Sequence, residues 1–187
     1  IIPAFSVGRT QLLVYTLHQL VDAGRLPDFP IFVDSPLSVN ATEVFRLHPE
    51  CFNRDIYTFL REKENPFGMD NLTYIRKASE SIKLNTLEGP AIIISSSGMC
   101  EAGRIRHHLK NNISDPNDLI LFVGYCAYNT LGAVIRAGID PVYIFGEPHE
   151  VKARVASFDG FSGHADRKEL GRYVESLTGD ITNIYVV

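Results

Sequence analysis

No stretch of the chain approaches the ~20 consecutive apolar residues that a membrane-spanning helix needs, so no membrane partner is expected. The first residues, Ile1-Ile2-Pro3-Ala4-Phe5, lack the basic region and small-residue cleavage site of a signal peptide. Cysteine is scarce. Cys51, Cys100 and Cys126 are odd in number and far apart, which argues against a disulfide framework and fits a reducing, cytoplasmic setting. An excess of positive charge is also missing. The 18 Lys and Arg stand against 22 Asp and Glu for a net charge of −4, so nucleic acid would have to be held by a local patch. No His-x-His-x-Asp-His, His-Glu-x-x-His or Cys-x-x-Cys occurs, which removes a self-sufficient metal site. Gly-x-Ser-x-Gly, Gly-x-Gly-x-x-Gly and the Walker A loop are absent as well.

What is present is globular. Apolar residues make up 45% and charged residues 21% of 187, which excludes disorder and a fibrous repeat. Strand-like runs alternate with helix-like ones. After Ile1 to Phe5, Ser6 is placed to cap a helix with Leu13, Leu17, Leu20 and Val21 on one face, ending at Gly24. Ile31-Phe32-Val33 reads as a strand stopped at Asp34-Ser35-Pro36, with a helix from Val39 to Leu47 after it. The polar stretch from Glu50 to Leu87 reads as helical in pieces. Ala91-Ile92-Ile93-Ile94 and Leu119-Ile120-Leu121-Phe122-Val123 are unbroken apolar runs, as strands buried on both faces should be. Each precedes a Gly-bearing loop and a helix. This pattern predicts a three-layer α/β/α domain with a mainly parallel sheet, whose ligands gather at the loops after the strand carboxyl ends. The character changes after Gly138, and a boundary is expected near Ala137 to Asp140. Both ends of the chain read as buried strands, so it is expected to be a piece of a longer protein.

Three constellations could carry chemistry. In Ile94-Ser95-Ser96-Ser97-Gly98-Met99-Cys100-Glu101-Ala102-Gly103-Arg104, a buried strand runs into hydroxyls and then a helix bearing Arg106, His107, His108 and Lys110. Helix N-termini and nearby Arg attract phosphates, so this is the local basic patch; equally, the serines could cap the helix and the cations coat its outside. In Gly160-Phe161-Ser162-Gly163-His164-Ala165-Asp166, Asp166 with Glu169 makes a capping-box start, a structural task. His164 has no apolar face calling for it and suits a general acid, a base or a metal ligand. Asp34 with Ser35 ends a strand in the expected ligand crevice, or simply turns the chain before Pro36. Cys100 lies in the helix-opening loop without a partner base.

In this order, the stretches resemble the β-CASP branch of the metallo-β-lactamase superfamily, the RNA-processing nucleases. The matching pieces are Ile2-Pro3-Ala4-Phe5-Ser6-Val7-Gly8-Arg9-Thr10-Gln11, Val33-Asp34-Ser35-Pro36-Leu37, Ser96-Ser97-Gly98-Met99, Gly103-Arg104 with His107-His108-Leu109, Phe122-Val123-Gly124-Tyr125, Thr130-Leu131-Gly132 and Phe161-Ser162-Gly163-His164-Ala165-Asp166. The resemblance implies that residues 1–138 are a β-CASP insertion, with 1–5 as a possible core strand leading in. Residues 139–187 would then be a truncated β/α return into a metallo-β-lactamase core. It implies a parent enzyme with two zinc ions that hydrolyses single-stranded RNA threaded between the two parts.

On this resemblance His164 is the motif B histidine and assists the leaving oxygen. Ser95, Ser96, Ser97, Gly98, Arg104, His108, Asp34 and Ser35 line the RNA path, while Asp166 and Ser162 support it. The zinc ligands would lie outside this chain, which is therefore expected to bind no catalytic metal and to be inactive alone. Its partners would be single-stranded RNA, the missing core of the same protein and, in the parent, a second copy. Two other readings stay open: a silent scaffold subunit of an RNA-processing complex, and a phosphosugar- or nucleotide-binding α/β module.

Overall fold

The computed structural model describes residues 1–62, 65–158, 160–161, 165–179 and 181–185. Its strands are β1 (Ile2–Pro3), β2 (Ile31–Asp34), β3 (Leu72–Ile75), β4 (Ile92–Ser95), β5 (Leu119–Phe122), β6 (Val142–Ile144), β7 (Glu147–His149) and β8 (Arg154–Ser157). The α-helices are α1 (Arg9–Asp22), α2 (Pro36–Leu47), α3 (Arg54–Glu62), α4 (Ala78–Lys83), α5 (Ile105–Asn112), α6 (Leu131–Arg136) and α7 (Arg167–Ser176).

The sheet is parallel. β1, β4, β2 and β3 pair in that order, and β5 pairs with β8. Ile1 joins the two groups: its nitrogen donates to Leu119 O at 2.7 Å, and its carbonyl accepts from the Leu121 N–H at 2.9 Å. The spatial order is therefore β3-β2-β4-β1-β5-β8. Side-chain alternation divides the core between the two faces. Val33, Ile94 and Leu121 join Leu13, Val14 and Leu17 of α1, with Phe45 of α2 and Phe59 of α3 packed on them. Ile120 and Phe122 face Ile105, Leu109 and Ile113 around α5, together with Ile135 of α6. Ile93 turns to Ile75 and Leu84. Helices thus cover both faces, the three-layer α/β/α arrangement that the alternation predicts.

Four expectations change. Ser6 does not cap α1, whose N-cap is Gly8, because its hydroxyl turns to Ser35. Residues 181–185, read as a buried strand, form no strand and are exposed. The stretch from 50 to 87 is not all helix: β3 extends the sheet beside β2, and its half-buried edge position lets Thr73 and Asn71 mask the strand pattern. α2 begins at Pro36 and not at Val39, because Pro36 takes the first helical turn and Ser35 caps it, accepting from the Ser38 N–H at 3.2 Å. Beyond residue 138, β6 and β7 form an antiparallel hairpin, and β8 then returns to the sheet next to β5. α7 is exposed along its length, with Leu170 and Tyr173 in solvent. Asp166 and Glu169 form its capping box, with the Glu169 N–H donating to Asp166 Oδ1 at 2.8 Å and the Asp166 N–H to Glu169 Oε2 at 2.9 Å. No described helix is long and apolar enough to cross a membrane.

Ile94 is fully buried at the centre of the sheet. Ile94→Ala should lower the unfolding free energy by about 2–5 kcal/mol in urea titrations, against within about 0.5 kcal/mol for exposed Ile82→Ala. Equal effects at the two positions would show that the sheet is not centred on β4.

Candidate nucleic-acid interface

The carboxyl ends of β1, β2, β4 and β5 bring four loops to one edge of the sheet, where parallel α/β sheets take their ligands. Asp34, the last residue of β2, lies below that edge with 0% exposure. Arg104 Nη1 donates to its Oδ1 at 2.6 Å. Ser81 Oγ donates to Oδ2 at 2.6 Å, and His108 Nε2 lies 2.6 Å from the same oxygen. Burial alone would raise the Asp34 pKa; the contacts of His108, Ser81 and Arg104 outweigh it and hold the carboxyl below its ordinary range. The guanidinium of Arg104 also donates to Ile75 O and, at 2.7 Å, to Arg76 O.

This geometry changes the expected roles of Asp34, Arg104 and His108. Asp34 and His108 have no surface to offer RNA, and Arg104 turns three of its five N–H donors to one carboxylate and two backbone carbonyls. The three form a buried clamp beneath the edge instead of lining a path. Nor is the rest of the basic run a free patch. Arg106 lies 4.2 Å from the ring centre of Phe145, His107 stacks against the same ring, and Lys110 Nζ donates to Glu147 Oε2 at 2.6 Å. Residues four apart share a helix face, so Arg104 and His108 point inward while Arg106 and Lys110 meet the β6–β7 hairpin.

The serines are linked. Ser96 Oγ donates to Ser35 Oγ at 2.7 Å, Ser6 Oγ lies 3.4 Å from Ser35 Oγ, and Ser95 Oγ donates to Asp34 O at 2.8 Å. Ser35 and Ser95 are buried by this network, whereas Ser96, Ser97 and Gly98 are half-buried and border solvent. Ser97 Oγ accepts from the N–H groups of Glu101 and Ala102. α5 does not start at the serines, and its first N–H, that of Ile105, donates to Ser96 O. The helix terminus expected to hold an anion therefore already has a backbone partner. Gly103 makes this possible: its φ is +81°, and a Cβ there would stand 2.3 Å from Ser96 O. Cys100 is fully buried, and desolvation pushes its thiol up, with Cys126 and Glu101 acting the same way, which opposes a thiolate nucleophile. Ser162 and His164 lie outside the described residues.

Several contributors escaped the sequence reading. Ser81 comes from α4 with no local signal. Gln11 Nε2 donates to Ser6 O, Ser38 O and Thr42 Oγ1, tying the first loop to α2. Arg9 Nη1 donates to Val123 O and Arg136 Nη1 to Gly124 O, fixing the loop after β5. Among the described residues, no three His, Cys, Asp or Glu side chains gather as a metal site would require.

The comparisons with known proteins agree with this frame. The Beta-Casp domain family model matches residues 10–135. The chain belongs to the Beta-Casp family. A second model, the Zn-dependent metallo-hydrolase RNA specificity domain, matches residues 148–187. The chain is 36% identical to Ribonuclease TTHA0252 of Thermus thermophilus over 170 residues, covering 91% of this chain and 39% of that protein. It is 32% identical to an RNase J-like protein of Methanocaldococcus jannaschii over 177 residues, 95% of this chain and 40% of the relative. With the transcription termination factor FttA of Methanosarcina mazei it shares 31% identity over 183 residues, 95% of this chain and 29% of the relative. The chain thus spans well under half the length of these three relatives.

The clamp has two measurable consequences. Arg104→Ala leaves a buried carboxylate without its cation and should cost about 3–5 kcal/mol of stability. If the full-length parent binds RNA, the salt dependence of that binding should keep its slope in the variant; a slope reduced by about one counterion would put Arg104 on the RNA instead. The folded pKa of Asp34 lies below the unfolded value of about 3.9, so its contribution is complete above that pH and is lost as pH falls through the folded pKa. Asp34→Asn should therefore flatten the acid limb of a stability–pH curve measured by urea unfolding. An unaltered limb would assign it to other carboxylates.

Proposed function

We propose that this chain is the RNA-holding part of a metal-dependent ribonuclease that hydrolyses phosphodiester bonds of single-stranded RNA. The observation that carries the reading is the succession, in one chain, of a Beta-Casp match over 10–135 and an RNA specificity domain match over 148–187. The names of the Thermus and Methanocaldococcus relatives support it. In this reading residues 1–138 are the β-CASP domain and 139–187 return toward the metallo-β-lactamase core, a division supported by the gap between the two matched regions.

The chain supplies positioning. Ser97 and Gly98 present a hydroxyl donor and backbone at the sheet edge, a surface suited to the sugar–phosphate chain, while Ser96, its hydroxyl donating to Ser35, and the Asp34–Arg104–His108 clamp keep that surface in register. His164 protonates the leaving oxygen, with Ser162 and Asp166 in supporting roles, an assignment that rests on the motif in the sequence. Zinc bound in the core of the parent would supply Lewis-acid chemistry for the attacking water and the phosphate, and no residue of this chain is assigned to hold it. The partners are single-stranded RNA, that core, and a second copy of the parent. The setting is the cytosol, in keeping with the free thiols of Cys51, Cys100 and Cys126.

The test uses the full-length parent. It should cleave single-stranded RNA, lose activity to a chelator and regain it with zinc. His164→Ala should cut turnover about 10²- to 10⁴-fold while leaving RNA affinity essentially unchanged. Unchanged turnover would remove His164 from the reaction, and cleavage of neither RNA nor any other phosphodiester would overturn the reading.

A further inference from the structure

We propose that Tyr125, Tyr128 and Phe5 form a stacking platform for the bases of single-stranded RNA, with the Arg9 guanidinium beside them; the inference rests on the RNA reading above. Tyr125 is 75% exposed, Tyr128 87% and Phe5 68%. Exposed aromatics scattered singly need no explanation. These three lie on two loops that each pack against the half-buried Ser96–Gly98 turn. A Cβ on Gly98 would stand 3.2 Å from the Phe5 nitrogen, so the Phe5 loop lies directly against the serine loop. Cys126 Sγ lies 3.7 Å from Gly98 O, which brings the Tyr125–Tyr128 loop against the same turn. Arg9 spans the two aromatic loops: it follows Phe5 in the chain, and its Nη1 donates to Val123 O at 2.7 Å.

The backbone that carries the tyrosines is fixed while their rings are not covered. Arg136 Nη1 donates to Gly124 O at 2.9 Å, and the Thr130 hydroxyl and N–H both donate to Ala127 O, at 2.7 and 3.2 Å. A ring held out on a pinned loop loses little further freedom when a base lies on it, the condition under which stacking yields the most affinity. The nearby carboxylate of Glu101 already accepts the Leu131 N–H, so it does not project unpaired toward a phosphate chain. Hydroxyls and backbone in the middle, a guanidinium beside them and aromatic faces at the rim suit one ligand class. The sugar–phosphate chain would run along Ser96–Gly98 and its bases would lie on the rings. Stacking reads every base alike, so the platform would give grip and direction without sequence preference.

The test compares the full-length parent with its Tyr125→Ala, Tyr128→Ala and Tyr128→Trp variants, binding a short single-stranded RNA and the same ribose-phosphate chain without bases. Each Ala variant should weaken binding to the RNA about 5- to 150-fold, Tyr128→Trp should bind as well as the parent, and the abasic chain should bind all of them alike. If the parent binds neither chain, the RNA reading itself fails. If the parent binds RNA and the Ala variants match it, or if they lose the abasic chain equally, the stacking assignment is overturned while the RNA reading stands. A melting temperature lowered by several degrees in both Ala variants would show the rings packed against the rest of the protein, and would overturn the platform as well.

Discussion

A carboxylate taken out of water must be matched by donors, and Asp34 is the point on which this edge of the molecule turns. Its oxygens are reached from α4 by Ser81, from the start of α5 by Arg104 and from the next turn of α5 by His108. Because Arg104 continues to the carbonyls of Ile75 and Arg76, one side chain at the end of β2 fixes the distance between β2, the segment after β3 and α5. The backbone carbonyl of Asp34 adds β4 through Ser95. Charge-assisted hydrogen bonds are short and directional, so they set the register of these elements more tightly than apolar packing alone. The loops above inherit that register.

What those loops present to solvent follows from what is consumed below them. Ser35 and Ser95 turn inward to the network, which leaves Ser96, Ser97 and Gly98 as the outer layer. Gln11 and Arg9 do the same service from α1, one gripping α2 and the other the loop after β5. Functional edges of parallel sheets are built in this manner: the polar groups nearest the strands hold the backbone, and the next residues along face the ligand.

The sequence disclosed the fold more readily than the site, for a physical reason. Unbroken runs such as Ile92–Ile94 and Leu119–Phe122 record burial on both faces of a parallel sheet, a signal carried within the segment itself. β3 lacked it because an edge strand is only half buried. The serine–glycine loop was visible as a strand end followed by hydroxyls. The fate of Asp34, Arg104 and His108 was not, since their partners lie between 28 and 74 residues away in the chain. One clue was available. Ile105, Leu109 and Ile113 mark the buried stripe of α5, and His108 falls inside that stripe, so a buried, partnered histidine was the better expectation.

The same geometry revises what a net charge of −4 means for a nucleic-acid partner. The basic run at 104–110 looked like the exception to an acidic surface, yet Arg104, Arg106, His107, His108 and Lys110 each meet a carboxylate or a ring of this chain. Arg104 and Lys110, each paired with a carboxylate, would release few counterions when a phosphate approaches, so bulk electrostatics from this run is reduced. On the proposed reading, grip on a phosphodiester chain would come from short-range contacts: the Ser97 hydroxyl and the backbone at Ser97–Gly98, the Arg9 guanidinium, and the faces of exposed rings. Such contacts act only on a strand that is unpaired and correctly placed. On the proposed RNA reading, a preference for single strands at this edge would follow from having spent its charges internally.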